Sequence, residues 1–77
     1  MSRVAILGAG SWGTTLAVHL AGAGHDVSLW GRNGAELAQI ERTRENRKFL
    51  PGITLPERVK VRAELEAALD QAEFIWF

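Results

Sequence analysis

Three glycines at a fixed spacing are the residues of this sequence best suited to binding a ligand. Gly8, Gly10 and Gly13 follow the apolar run VAIL and match the pattern G-x-G-x-x-G. In such a loop the first glycine lets the chain turn tightly out of a strand, the second lets a pyrophosphate approach the backbone, and the third lets the next helix pack close to the sheet. Because the pattern follows one strand-like run and precedes another, it predicts a dinucleotide-binding loop rather than a glycine turn without a ligand.

The start of the following helix extends this predicted phosphate site. Ser11, Trp12 and Gly13 would offer free amide N–H groups at the positive end of the helix, where anions bind favourably. Trp12 falls in the turn itself, where a packed position in the core is hard to arrange. We therefore expect its indole ring to shield the cofactor site.

The residues after the second predicted strand bear on which dinucleotide would bind. A fold that prefers NAD usually has Asp or Glu there to hold the ribose hydroxyls, whereas this sequence has Gly31, Arg32 and Asn33. An arginine suits the 2′-phosphate of NADP and can stack on adenine, so Arg32 favours NADP. Two structural alternatives stay open. Arg32 could be a solvated turn residue, and Asn33 could simply cap the next helix, with Glu36 in capping-box spacing.

Alternating strand-like and helix-like segments predict the scaffold that positions these residues. Continuous apolar runs bounded by glycine indicate strands covered on both faces, as in a parallel sheet. The predicted strands are 4–7, 26–30, 58–62 and 74–77, and the predicted helices are 11–23, 34–44 and 63–72. Residues 44–57 are expected to be irregular, apart from one helical turn before Pro51. The order β-α-β-α-β-α-β predicts an α/β fold, a partial Rossmann-type doubly wound parallel sheet with strand order 3-2-1-4.

Helical and strand periodicity also predicts which side chains lie in the core and which face water. Gly24 is expected to cap the first helix at its C-terminus. The expected core includes Leu16, Ala17, Leu20, Ala21, Leu37, Ile40, Trp30 and Trp76. The basic run Arg42, Arg44, Arg47 and Lys48 is interleaved with Glu41 and Glu45, which is typical of a solvated face.

Composition excludes several classes of function. Nine basic and nine acidic residues cancel, which argues against nucleic acid or an anionic membrane surface as the main partner. The chain has no cysteine and therefore no disulfide or thiolate metal site, and no His or carboxylate cluster has the spacing of metal ligands. No apolar run approaches the ~20 residues of a membrane span, and no signal peptide is recognisable. A cytoplasmic location is the expectation.

The sequence EFIWF at the C-terminus indicates that the chain is a fragment. It ends inside a predicted buried strand, with no closing turn after Phe77. Residues 1–77 are therefore interpreted as the N-terminal half of a dinucleotide-binding Rossmann domain. No residue of the chain is assigned a catalytic role.

Two longer blocks carry a resemblance to a known family. The stretches ILGAGSWGTTLAVHLAGAGHDVSLWGRN and ENRKFLPGITLPERVKV resemble the start of the bacterial NAD(P)-dependent glycerol-3-phosphate dehydrogenases. The glycine pattern alone would indicate only the fold, whereas SWGT, LWGR and the N-R-K-F-L-P block make the resemblance specific. It implies a phosphate loop at Gly8, Gly10 and Gly13, cofactor contacts at Ser11 and Trp12, an adenosine-phosphate end at Arg32 and Asn33, and a position near the cofactor cleft for Phe49.

The resemblance also implies an activity for the parent protein. It would reduce dihydroxyacetone phosphate to sn-glycerol 3-phosphate, a precursor of glycerophospholipids, with NADP or NAD as cofactor and NADPH favoured. The catalytic lysines and the helical domain that binds the small phosphorylated substrate would lie beyond residue 77, and a homodimer is left open. Two alternatives remain: a non-catalytic nucleotide-sensing Rossmann module, and another NAD(P)-dependent dehydrogenase with the same loop.

Overall fold

Six strands and three helices make up the computed structural model, which describes residues 1–77. In chain order they are β1 (Arg3–Leu7), α1 (Ser11–Gly22), β2 (Asp26–Trp30), α2 (Gly34–Thr43), β3 (Glu45–Asn46), β4 (Leu50–Thr54), β5 (Val59–Val61), α3 (Leu65–Leu69) and β6 (Phe74–Trp76). No helix is long and apolar enough to cross a membrane.

The central sheet has four parallel strands in the order β5-β2-β1-β6. This confirms the predicted order 3-2-1-4, since β5 and β6 are the third and fourth predicted strands. Ile6 pairs with Leu29 on one side and with Trp76 on the other. The carboxyl ends of all four strands therefore meet at one edge of the sheet, where ligands bind in folds of this type.

Helix α1 approaches the sheet through its smallest side chains. Gly13, Thr14, Ala17 and Ala21 are buried against the strands, as expected for the two alanines. The prediction that Leu16 and Leu20 lie in the core is only partly right, because both are half-buried beside it. Close approach of the helix leaves room only for small residues on the contact face, so the leucines lie to one side.

Two helix ends carry the caps that the sequence predicts, the C-terminus of α1 and the N-terminus of α2. Gly24, at φ +97°, takes the left-handed position just after α1, and its N–H donates to the Ala21 carbonyl. Asn33 caps α2, because its Oδ1 accepts from the Glu36 N–H at 3.0 Å. Leu37 and Ile40 then point into the core, where they are 3% and 1% exposed.

Residues 44–57 contain the main error of the sequence-based prediction. In place of an irregular segment, β3 and β4 form a two-stranded antiparallel hairpin, in which Glu45 pairs with Thr54 and Asn46 with Leu50. A strand of two residues is too short to show a periodic pattern, and Pro51 lies on β4, which pairs with β3 only. Proline is tolerated on such an edge strand because it need not donate to a second neighbour.

Arg44 shows that the basic run is not simply a solvated face. Its side chain is half-buried, and its Nη2 donates to the carbonyls of Pro56 and Val59, both at 2.7 Å. Because these carbonyls lie at the end of the hairpin segment and in β5, the guanidinium joins the end of α2 to the edge of the sheet.

The C-terminal elements differ from the prediction in length and burial. Helix α3 covers only Leu65–Leu69 of the predicted 63–72, and Gln71 takes a left-handed conformation at φ 59° shortly after it. Trp76, expected in the core, is 50% exposed, while Trp30 is half-buried and its Nε1 donates to the Ala63 carbonyl at 3.2 Å. Nothing in these 77 residues covers the outer side of β6.

Candidate functional site

The glycine loop between β1 and α1 has the backbone that its sequence predicts. Gly8 lies at φ +151°, a conformation that other residues rarely adopt, and its N–H donates to the Trp30 carbonyl at 2.7 Å. A Cβ on Gly13 would overlap the Gly8 carbonyl and lie 3.2 Å from the Ile6 side chain. Gly13 therefore permits the close packing of α1 on β1 that the pattern implies.

The N-terminus of α1 is uncapped and faces open space. The first helical hydrogen bond runs from the Thr14 N–H to the Gly10 carbonyl at 3.0 Å, so the amides of Ser11, Trp12 and Gly13 precede it. No side chain caps this end, and no acidic residue occupies the first turn. A Cβ on Gly10 would meet nothing within 4 Å. Free amides, the positive helix end and this space together suit a phosphate group.

Two neighbouring clefts meet at Gly10 and contain all eight predicted site residues. The first, here the glycine-loop cleft, is lined by Gly8, Gly10, Ser11, Trp12, Gly13, Trp76 and Phe77. The second, here the turn cleft, has a volume of about 260 Å³ and is lined by Ala9, Gly10, Gly31, Arg32, Asn33, Glu36, Leu37 and Phe49. Trp12 is 82% exposed on the first cleft, which agrees with the expectation that it does not pack in the core.

Gly31 is a site residue whose role was not predicted. A Cβ at this position would lie 3.0 Å from the Ala9 Cβ and 3.3 Å from the Ala9 amide nitrogen. The turn after β2 therefore packs directly on the glycine loop, which brings Arg32 and Asn33 beside Gly10. The signal was present in the sequence as a glycine immediately after the second strand.

Asn46 is the second residue that the sequence reasoning missed. It is 2% exposed, and its Nδ2 donates to the Ala9 carbonyl and to Thr14 Oγ1, both at 2.8 Å. Its Oδ1 accepts from the Phe49 N–H at 3.3 Å. A buried amide whose donors and acceptor are all used ties the hairpin to the glycine loop on one side and fixes the hairpin turn on the other.

The hairpin turn brings Phe49 to the edge of the turn cleft. Ser11 Oγ donates to the Phe49 carbonyl at 3.1 Å, which joins the turn to the first residue of α1. The Phe49 ring is 38% exposed, and Lys48 Nζ lies 5.1 Å from its centroid. Such a half-exposed ring offers an apolar surface against which a flat ligand group can pack.

Three charged side chains surround the turn cleft. Arg32 and Glu36 line it, and Lys48 Nζ lies 3.0 Å from Glu36 Oε2. Glu36 Oε2 also accepts from Asn33 Nδ2 at 3.2 Å. Because Glu36 and Lys48 offset each other, Arg32 leaves this end of the site with a net positive charge.

The arrangement fits an extended ligand with phosphate at its middle. Helix amides at Gly10 would bind a pyrophosphate, while a cationic cleft on one side would take a nucleoside that carries a further phosphate. Comparison with known proteins identifies the family to which such a site would belong. Residues 3–77 match the family model described as the NAD-dependent glycerol-3-phosphate dehydrogenase N-terminus. The chain belongs to this family.

Curated relatives and solved structures agree with the family assignment. The chain is 49% identical over 73 residues to the glycerol-3-phosphate dehydrogenase [NAD(P)+] of Xanthomonas euvesicatoria, covering 95% of this chain and 21% of that protein. It is 54% identical over 70 residues to the enzyme of that name from Cupriavidus necator, covering 91% and 20%. The crystal structure of glycerol-3-phosphate dehydrogenase from Coxiella burnetii superposes with a TM-score of 0.92 at 38% identity, covering 96% of this chain and 23% of that one.

Family membership confirms two of the sequence-based predictions. The resemblance was correct, and the likeness to the Coxiella structure confirms the partial Rossmann fold. The chain spans only about a fifth of the length of its curated relatives. The cofactor roles assigned to the individual site residues stay predictions, although the structure brings those residues together.

Proposed function

We infer that this segment is the cofactor-binding N-terminal part of an NAD(P)-dependent glycerol-3-phosphate dehydrogenase. The observation that carries the proposal is the family match over residues 3–77 together with an uncapped helix N-terminus that opens on free space at Gly10. The parent enzyme would reduce dihydroxyacetone phosphate to sn-glycerol 3-phosphate. Its catalytic groups and substrate site would lie outside residues 1–77.

The bound nicotinamide dinucleotide would supply the hydride, and this segment would hold it in place. The amides after Gly10 would bind the pyrophosphate. Ser11 and Trp12 would border it in the glycine-loop cleft, where the exposed indole ring would limit the access of water to the bound cofactor. Phe49 and Asn33 would border the adenosine in the turn cleft.

Arg32 supports the proposal that NADPH is accepted at least as well as NADH. It lies at the rim of the turn cleft, and no carboxylate follows β2 directly to hold the ribose hydroxyls. Its planar guanidinium can bind the 2′-phosphate through two hydrogen bonds.

The names of the relatives favour the dehydrogenase over the two alternatives from the sequence. The Xanthomonas and Cupriavidus proteins are both named for this one activity. A nucleotide-sensing module shares the loop but has no reason to share the hairpin, which the family match includes. The cytoplasmic location and the homodimer stay predictions.

Substitution Gly10→Val in the full-length enzyme tests the phosphate loop. Gly10 has an extended backbone at φ −81° and open space around it, so valine should leave the fold intact while its methyl groups occupy the pyrophosphate position. A hydrogen bond to a charged group contributes ~1.5–3 kcal/mol, and ~1.4 kcal/mol is tenfold in affinity. We therefore expect NADPH and NADH to bind at least about tenfold more weakly. Titration of both cofactors into the parent enzyme also measures the expected preference for NADPH.

The matched control is Gly22→Val at the opposite end of α1. Gly22 also has open space around it and is exposed, but it lies far from both clefts. This variant should bind both cofactors normally. Unchanged affinity in a folded Gly10→Val enzyme would show that the loop does not hold a pyrophosphate.

A further inference from the structure

The turn cleft contains a carboxylate that a 2′-phosphate would have to approach. Glu36 lines this cleft together with Arg32 and Asn33, although it lies in the first turn of α2 and not at the end of β2. An acidic group near the adenosine ribose favours a ribose with free hydroxyls, since it accepts hydrogen bonds from them and repels a phosphate. Without a neighbouring cation, Glu36 would therefore oppose the preference for NADPH that Arg32 implies.

Lys48 is the group that offsets this charge. Its Nζ lies 3.0 Å from Glu36 Oε2, and the two side chains are 62% and 35% exposed. The lysine is also held over the Phe49 ring, with its Nζ 5.1 Å from the centroid. Its position is therefore set by contacts with two residues that themselves line the cleft.

The backbone beside Lys48 is fixed to the glycine loop. The Phe49 carbonyl accepts from Ser11 Oγ, and the Phe49 N–H donates to the buried amide of Asn46. Because these bonds place the hairpin turn next to Glu36, the pairing of Lys48 with Glu36 follows from the same contacts that build the site. No other cation lies within 4 Å of the Glu36 carboxylate.

We propose that the Glu36–Lys48 ion pair determines the relative affinity for NADPH and NADH. Lys48 neutralises the Glu36 carboxylate through this ion pair, so that the 2′-phosphate meets a cleft whose net charge is positive. Without Lys48, Glu36 is free to accept from the ribose hydroxyls and to repel the phosphate. Without Glu36, Lys48 is free to pair with the phosphate itself. This inference rests on the proposed function, because it needs a dinucleotide in the turn cleft.

Two substitutions with opposite expected effects test the proposal in the full-length enzyme. Lys48→Met keeps the apolar stem over Phe49 and removes the charge, and it should lower the ratio of NADPH to NADH affinity. Glu36→Gln keeps an oxygen for Asn33 Nδ2 and removes the charge, and it should raise that ratio. Partly exposed pairs are weak, so we expect each change to be about two- to fivefold at low salt and smaller at high salt.

Three controls separate this effect from a structural one. The double variant Glu36→Gln with Lys48→Met should return the ratio toward that of the parent. Arg32→Ala should lower the NADPH affinity by about tenfold or more if it binds the phosphate. Arg58→Met removes an ion pair of the same 3.0 Å length, with Asp26 at the start of β2, and should leave the ratio unchanged.

The dissociation constants of NADPH and NADH, measured separately by calorimetric titration, decide the outcome. Opposite shifts of the ratio in the two single variants support the proposal. An unchanged ratio, or equal losses for both cofactors, would overturn it and leave the pair a structural role only. If the parent enzyme binds neither cofactor, the proposed function itself fails, and this inference fails with it.

Discussion

The two margins of the central sheet, the edge strands β5 and β6, have opposite environments. On the β5 side, Val59 is fully buried and Val61 is 9% exposed, because helices α1 and α2 pack against this strand. On the β6 side, Phe74, Ile75 and Trp76 are 61%, 48% and 50% exposed. Burial thus depends on which elements cover a strand, and apolar composition alone does not determine it.

The same contrast divides the candidate site. The turn cleft lies toward the covered margin, where Asn46, Arg44 and Gly31 connect the hairpin, α2 and the glycine loop. The glycine-loop cleft opens toward the uncovered margin and is bordered by Trp76 and Phe77. The part of the site proposed to bind the adenosine therefore lies among packed elements, while the glycine-loop cleft borders exposed apolar side chains.

The largest expected effect on stability comes from Gly13. This residue lies where α1 packs on β1, the central strand between the two margins. In Gly13→Ala the new Cβ overlaps the Gly8 carbonyl, so the helix must move away from the sheet. Overpacking typically costs ~1–3 kcal/mol, and a clash with backbone places this variant at the upper end. Denaturant unfolding followed by tryptophan fluorescence measures the loss. Gly22→Ala in the same helix has open space and should not destabilise the protein. Equal stability of the two variants would contradict the close packing.

Asn46 tests the covered margin by itself. In Asn46→Ala, the Ala9 carbonyl and Thr14 Oγ1 lose a buried partner, which should cost ~1–3 kcal/mol in unfolding free energy. Because the glycine loop loses a support, cofactor affinity should also fall. Gln39→Ala is the control, since Gln39 Nε2 donates to the Glu45 carbonyl at 2.9 Å and anchors the hairpin to α2 but not to the loop. Gln39→Ala should lower the unfolding free energy and leave the cofactor affinity unchanged. If Gln39→Ala lowered the cofactor affinity as much as Asn46→Ala does, the effect of Asn46 would come from holding the hairpin and not from its bonds to the glycine loop.

The smallest effect on stability is expected at the uncovered margin. Ile75→Lys places a charge on an exposed edge strand, so the unfolding free energy should change by no more than ~0.5 kcal/mol. Self-association of the 77-residue chain should decrease, because charges on edge strands prevent pairing between copies. Sedimentation velocity at several concentrations measures this. Val59→Lys on β5 is the contrast, since it buries an unpaired charge and should lower the unfolding free energy clearly more than Ile75→Lys does. If the unsubstituted 77-residue chain is monomeric at all concentrations measured, the prediction that β6 mediates self-association is wrong.

Local and strongly periodic features of the sequence were predictable. The strand order follows from the βα alternation, the role of Gly13 follows from its spacing, and the Asn33 cap follows from Glu36 three residues later. The packing at Gly13 and the Asn33 cap depend on residues within a few positions of one another, so short-range rules suffice, whereas the strand order follows from the connection rules for consecutive βα units.

The features that were missed depend on distant partners. Asn46 bonds to Ala9 and Thr14, which precede it by 37 and 32 residues. Arg44 looked like one member of a solvated basic run, because the Pro56 and Val59 carbonyls that it binds carry no sequence signal. Trp76 was misjudged for a different reason, since an apolar strand pattern does not say whether another element lies beside it.

The bonds from Asn46 to the glycine loop have a consequence for the kinetics of ligand capture. Fixing a residue's backbone costs roughly 1–2 kcal/mol of conformational entropy, and glycine has the most freedom to lose. Here the loop is already held at Ala9 and at Thr14 by one side chain from the hairpin. Most of that ordering is complete once the chain has folded, so a dinucleotide bound there as proposed would meet a loop that is already held in place, and its association would not wait for a loop rearrangement.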